Sequence, residues 1–287
     1  MRAETAEGPG SVLLDEDFDA PALAPRWSTL CPNGGTLALA DSTLRLALPA
    51  ARAGHYADAQ LDDCARLPRS RYLWRPPLRL EVRARASHPQ HAPAPPASAG
   101  DARATLRGTA GFGFWNYPFS TRGTPLALPE AVWFFYASPP ANMALVPGVP
   151  GWGWKAQVVH ARRWGAVAVA PPALAAMAWR RATGRGAAAA RWLQRLSGAA
   201  EAHIAAPMDE WQRYTLDWRA DAARFTVAGR EVLLAPRPPA GPLGFVAWVD
   251  NQYAIATPDG RLRFGTLDAA PQWLEIAHIR ITRLPPH

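Results

Sequence analysis

Three short stretches hold the residues of this chain best suited to chemistry: GFGFWNYPF at Gly111 to Phe119, VWFFYASPPANMAL at Val132 to Leu145, and PGVPGWGWK at Pro147 to Lys155. Trp115, Tyr117, Trp133, Phe135 and Tyr136 offer flat apolar faces, Asn116 and Asn142 offer amides, and Trp152, Trp154 and Lys155 can form a rim. Rings joined to a few hydrogen-bonding groups suit sugars, whereas rings with few polar partners suit an apolar ligand. Further on, Asp250, Asn251, Gln252 and Tyr253 follow one another at the end of an apolar run. Asp250 is the one acid placed to move a proton, with Lys155 or Tyr253 as its partner.

Other constellations are absent from the sequence. No G-x-S-x-G elbow surrounds a serine and no H-E-x-x-H occurs; the glycines at Gly111 and Gly113 belong to a strand and allow close backbone approach or a tight sheet bend. Nothing implies a metal or a cofactor. Cys31 and Cys64 are expected to remain thiols without a catalytic role. The net charge of +8 looks like a nucleic-acid signal, but Arg162, Arg163, Arg180, Arg181, Arg185, Arg191 and Arg195 supply all but one unit of it from a segment without acids. Nucleic acid is therefore not an expected partner. Lys155 is the only lysine among 31 basic residues, and asparagine occurs only at Asn33, Asn116, Asn142 and Asn251. A GC-rich coding bias explains both scarcities, so their gathering beside aromatic residues points to chemical need, against the ordinary use of asparagine in loops.

These residues must be positioned by strands. LRLEVRARA at Leu78 to Ala86 alternates apolar and charged side chains, TLALADSTLRLALP turns at Asp41-Ser42, ADAARFTVAGREVLL turns at Ala228-Gly229, and WLEIAHIRITRL alternates again. The expectation is an all-β sandwich of two antiparallel sheets in a single domain over 12–287. A flexible tail covers 1–11, a Pro/Ala-rich loop 87–108, and a basic helical insertion 160–207. Alternation also puts Trp133 and Phe135 on one face of their strand and Phe134 and Tyr136 on the other, so only one pair can meet a ligand.

Within the insertion, Trp164 to Trp179 carries no charge, and AAAARWLQRL reads as a short amphipathic helix. It fits a lid, a contact with an anionic membrane surface through 160–200, or an alanine-rich helical pair packed on the sandwich. The opening MRAETAEGPGSVLLDEDF has no apolar signal core and no run is long enough to span a bilayer, which makes a cytoplasmic location the expectation.

The opening LLDEDFD with RWSTL, the late WQRYTLDWRADAARFTVAGREV and the closing WLEIAHIRI together resemble the concanavalin A-like lectin/glucanase superfamily, especially glycoside hydrolase family 16. The turn Val227-Ala228-Gly229-Arg230-Glu231-Val232 carries Ala228 where that family has Asp. The resemblance spans residues 12–155 and 208–284 and implies a jelly-roll sandwich with its ligand on a concave face. It also implies, for a hydrolase, two carboxylates about 5 Å apart from an E-x-D-x-x-E strand. No E-x-D-x-x-E occurs, and VWFFYASPPANMAL stands at that place with only Glu130 before it. The resulting expectation is a non-hydrolytic binder of a carbohydrate or glycan-bearing molecule. The alternatives are an enzyme acting on a hydrophobic small molecule beneath the arginine-rich segment and a peripheral membrane protein.

Overall fold

The computed structural model describes residues 8–90, 105–118, 127–143, 145–146, 148–161, 198–256 and 262–286. Its strands run in chain order as β1 (Val12–Glu16), β2 (Ser28–Leu30), β3 (Thr36–Ala40), β4 (Thr43–Leu48), β5 (Asp58–Asp62), β6 (Leu78–Ala86), β7 (Thr109–Trp115), β8 (Glu130–Ala137) and β9 (Gly153–His160). After residues 162–197 follow β10 (Ala200–His203), β11 (Gln212–Trp218), β12 (Ala222–Val227), β13 (Arg230–Pro236), β14 (Gly244–Asp250), β15 (Gln252–Ala256), β16 (Leu262–Thr266) and β17 (Gln272–Arg283).

Two antiparallel sheets face one another. Sheet I has the order β13-β12-β11-β6-β17-β4-β3, with β1 also paired to β17; sheet II has the order β10-β9-β8-β7-β14-β5-β2. Period-two alternation sorts each strand between core and outside. On β6, Leu78, Leu80, Val82, Ala84 and Ala86 are buried, and on β11 so are Tyr214, Leu216 and Trp218. They meet Phe112, Phe114, Phe134, Tyr136, Trp154 and Phe245 of sheet II in one continuous core. The rings there interlock edge to face, as in Phe112 against Tyr214 at 5.0 Å and 70° and Phe134 against Phe225 at 5.3 Å and 86°. Such pairs add about 0.5–1.5 kcal/mol each to the area they bury.

Two expectations change here. PGVPGWGWK, expected to supply a rim, runs into a strand: Gly153, Trp154 and Lys155 open β9, because the glycine-rich lead-in ends where pairing with β8 begins. The helical insertion expected over 160–207 falls mainly outside the described residues, and its ends are strand: β9 reaches His160, and β10 occupies Ala200–His203. Among the described residues no helix is long and apolar enough to cross a membrane. Cys31 is exposed and Cys64 buried, and neither is in a disulfide. The Pro/Ala-rich loop expected over 87–108 also lies largely outside the described residues, as does the proposed membrane contact.

The candidate glycan face of sheet II

Side chains of sheet II that point away from the core form a second buried cluster of Ala131, Trp133, Phe135, Ala137, Ala141, Val246 and Trp248, with Trp115, Tyr117, Val159 and Tyr253 against it. The alternation of β8 decides which pair is presented: Trp133 and Phe135 lie on this face, and Phe134 and Tyr136 lie in the core. β7 makes room. A Cβ on Gly111 would stand 2.8 Å from the Trp248 ring and 2.3 Å from the Phe134 carbonyl oxygen, and one on Gly113 would stand 2.7 Å from Trp133 Cβ. Glycine at both positions lets the indoles of the flanking strands lean over β7.

The rings then stack on one another. Trp115 and Trp133 lie 4.6 Å apart at 19°, Trp133 and Phe135 5.3 Å apart at 21°, and Trp248 tilts against Trp133 at 5.1 Å. Both faces of the Trp133 indole are occupied by protein rings. With Trp133, Phe135 and Trp248 only 8%, 6% and 7% exposed, the free ring face in this row belongs to half-buried Trp115.

A polar wall stands on each side of the rings. On the β9–β10 side, Trp133 Nε1 donates to Gln157 Oε1 at 2.7 Å, and Gln157 Nε2 donates to Glu201 Oε2 at 2.9 Å. Lys155 Nζ donates to the same oxygen at 2.9 Å and to the Pro150 carbonyl at 3.0 Å; neither Lys155 nor Glu201 has solvent exposure. Burial pushes the Lys155 amine below its ordinary value, opposed by the charge of Glu201. His203 faces Lys155 across β9 and β10, and burial, then the Lys155 charge, lowers its imidazole. The buried Nε2 of His203 has no protein partner.

The other wall is acidic. Asp58, Gln60 and Asp62 of β5 stand opposite Asp250, Trp248 and Val246 of β14. Asp62 is satisfied locally, accepting from the backbone of Cys64 and Ala65 at 3.1 and 2.6 Å and from Gln60 Nε2 at 3.1 Å. Asp250 Oδ1 accepts from Thr109 N, Thr109 Oγ1 and Gln252 N at 3.1, 2.8 and 3.0 Å. Burial nevertheless raises Asp250 to about 6. Asp58 accepts from the Tyr56 hydroxyl through Oδ2 at 2.8 Å, while its buried Oδ1 has no partner. Burial first, and the charge of Asp250 second, hold Asp58 well above the carboxylate range. Two facing carboxyls, one favouring its proton and one able to lose it, can exchange protons with a ligand or receive a cation.

The remaining expected site residues divide between roles. Asn116 is a buried loop clasp, its Nδ2 donating to the Leu128 carbonyl at 2.8 Å and its Oδ1 accepting from Glu130 N at 3.1 Å. Asn251 clasps in the same way, accepting from Ala57 N at 2.9 Å and donating to the carbonyls of His55 and Leu267 at 2.9 Å. Tyr136 and Trp154, expected at the ligand, point into the core instead. Tyr136 donates to the Leu106 carbonyl at 2.8 Å, and Trp154 packs on Phe112 and Tyr214. Lys155, expected at a rim, is buried against Glu201. Asn142 ties its loop to the β15–β16 hairpin through a backbone bond to Ala254 at 2.9 Å. Tyr253 of that hairpin lies against the ring cluster. The hydroxyl of Tyr117 and the Nε1 of Trp152 are buried without a partner.

Sequence reasoning missed Trp248, Asp58, Gln60, Glu201 and His203. Their signal was alternation: DAQLD puts Asp, Gln and Asp on one face with Ala and Leu on the other, and FVAWVD sends Trp248 and Asp250 the same way.

No protein-family model matches this chain, and no curated protein matches it. Solved structures do. An immunostimulatory antigen and pseudo-β-1,3-glucanase of Mycobacterium tuberculosis is 14% identical with a TM-score of 0.52, over 95% of this chain and 99% of the other. A laminarinase from Flavobacterium sp. UMI-01 is 12% identical with a TM-score of 0.50, over 95% and 100%. A structure described with the endo-acting O-glycanases of human gut microbiota is 13% identical with a TM-score of 0.50, over 96% and 100%. The fold is a concanavalin A-like jelly roll. At these identities the likeness carries the architecture, and activity has to be argued from the site.

Proposed function

We propose that this protein binds a carbohydrate on the outer face of sheet II and does not hydrolyse it by the mechanism that family-16 resemblance implies. One observation carries the reading. Around the ring row, Asp58 Oδ1, Tyr117 Oη and His203 Nε2 are buried polar atoms without a partner among the described residues. Each such atom costs about 1–3 kcal/mol unless something else bonds to it, and a polyhydroxylated ligand supplies donors and acceptors together. The half-buried Trp115 ring adds the apolar surface on which a sugar stacks.

Two points support binding without that hydrolysis. The site-facing positions of β8 are Ala131, Trp133, Phe135 and Ala137, so this strand brings no carboxylate to the face. The similar solved structures include one named a pseudo-β-1,3-glucanase beside one named a laminarinase and one described with endo-acting O-glycanases. The Asp58–Asp250 pair favours one second reading, acid–base chemistry on the bound glycan. Reducing-end release that disappears in Asp250→Asn would bring that reading forward.

The test is a panel of plant, fungal and bacterial glycans applied to the wild-type protein and to Trp115→Ala. The expected result is saturable binding of one glycan class, weakened about tenfold or more in a variant that still unfolds cooperatively with a melting temperature only a few degrees lower (about 2–4 °C per kcal/mol). Wild-type protein that retains no glycan, or a variant that binds equally well, would sink the proposal.

A further inference from the structure

The acidic wall keeps a charge problem that the rest of the face has solved. Asp58 and Asp250 are direct cross-strand partners. On one face of an antiparallel pair the Cβ atoms of such partners stand about 4.5–5.5 Å apart, and like charges there repel. Among the described residues the ion pairs engage other acids: Glu275, Asp217, Glu201, Glu130, Glu231 and Asp15. The groups that face the pair are acids and weak acids: Asp62, the Tyr56 hydroxyl and the Cys31 thiol. Burial, then the charge of Asp58, pushes the Tyr56 hydroxyl up, and burial also raises Cys31, so both favour their neutral forms and neither offsets the charge of the pair.

Two further atoms point to a guest. Asp58 is 1% exposed, and its Oδ1 has no partner. The buried Tyr117 hydroxyl, on a different strand end, likewise has none, and the charges of Asp62 and Asp58 both act on it. An aromatic side completes the surroundings: Trp248 Nε1 donates to Thr109 Oγ1 at 2.9 Å, which in turn donates to Asp250 Oδ1 at 2.8 Å. The indole is thereby tied to the carboxylate at the edge of the ring row. A buried pair of carboxyl groups with an unsatisfied oxygen is the chemistry that holds an ammonium group, through charge and charge-assisted hydrogen bonds.

We propose that the Asp58–Asp250 pair receives a protonated amine of the ligand, which makes the glycan bound on this face one with free amino sugars. This rests on the glycan reading above and adds the ligand's charge to it. A neutral sugar hydroxyl would satisfy Asp58 Oδ1 yet leave room for only one charge on the two carboxyls; an ammonium satisfies the oxygen and lets both ionise. Asp250, at 6% exposure, is the member that the amine meets first. Burial and the Asp250 charge favour the protonated form of Asp58, so ionising both carboxyls around the ammonium releases a proton to solvent.

The experiment is calorimetric titration near pH 6 with a β-1,4-glucosamine oligomer and, separately, its fully N-acetylated counterpart, each repeated in buffers of different ionisation enthalpy. The glucosamine oligomer is expected to bind about tenfold tighter or better, to release about one proton, and to weaken as salt is raised. Asp58→Asn and Asp250→Asn are each expected to bring the two oligomers to similar affinity. Salt and proton release are read on the wild type, so the test survives a variant that folds poorly. Equal affinities, preference for the acetylated oligomer, or a preference that persists in both variants would overturn the inference while leaving a glycan face intact. Binding of neither oligomer, together with an empty glycan panel, would remove the glycan reading itself. Spermidine binding as tightly as the glucosamine oligomer would assign the pair to free polyamines and overturn the amino-sugar assignment.

Discussion

On one side of the ring row Lys155, Gln157 and Glu201 saturate one another; on the other Asp58 and Asp250 face each other, and no ion pair among the described residues engages either. Both walls belong to the same sheet, border the same aromatic cluster and exclude water to a similar degree. A fully paired buried charge network holds strands in place and has no free valence for a guest. An unpaired one carries a standing cost that folding would shed unless something outside the chain repaid it in binding. The difference assigns scaffolding to the Lys155–Gln157–Glu201 network and charge recognition to the β5–β14 wall, with His203 Nε2 an open atom of the β9–β10 side among the described residues.

The largest expected effect breaks the paired wall. Lys155→Met leaves Glu201 buried without its cation, at about 3–5 kcal/mol, and a chain of this size should lose on the order of ten degrees in melting temperature. A loss under two or three degrees in differential scanning calorimetry would mean that Glu201 is not held as described.

The acidic wall should respond in the opposite sense, and to pH. Burial raises Asp250 to about 6 in the folded protein, above the carboxylate value of about 4 in an unfolded chain, so the fold binds the extra proton. Its stabilising contribution is complete below about pH 4 and is lost as pH rises through about 6; Asp63, raised by burial to about 7, acts in the same direction. Stability measured by urea unfolding should therefore fall between those values. Asp250→Asn should flatten that fall by about 3 kcal/mol, leaving the parts due to Asp58 and Asp63. A wild-type profile that rises with pH over this window would contradict the unpaired arrangement.

The smallest expected effect comes from Tyr117→Phe. Removing a buried hydroxyl that nothing satisfies should leave stability unchanged or raise it by up to about 1 kcal/mol, while weakening the ligand. A loss of stability instead would show that the hydroxyl has a structural partner.

Much of the architecture was legible in the residues. The alternation of Leu78 to Ala86, the turns at Asp41-Ser42 and Ala228-Gly229 and the closing run to Leu284 all correspond to strands or hairpins. Period-two reasoning also set Trp133 and Phe135 against Phe134 and Tyr136 correctly as opposite faces. Less legible was anything that depends on which strands become neighbours. Trp154 reads as a rim residue until β9 pairs with β8 and turns the indole inward. Asp58 is an unremarkable acid in DAQLD until β5 is laid against β14 and Asp250 stands opposite it. Glu201 and His203 sat inside a segment expected to be helical, and only the pairing of β10 with β9 brings them to the face. The chemistry of a sheet face is built from partners distant in sequence, which is why its rings were found and its walls were not.

The most direct test of the central claim is hydrogen–deuterium exchange with and without the glycan that binds best in the panel. The account predicts added protection at β7, β8 and the Asp58–Asp62 strand, with none on the outer face of sheet I. A groove of about 420 Å³ lies on that outer face, lined by residues including Asp17, Asp19, Asp41, Arg83 and Trp211. Protection appearing there and absent from sheet II would contradict the assignment of the site.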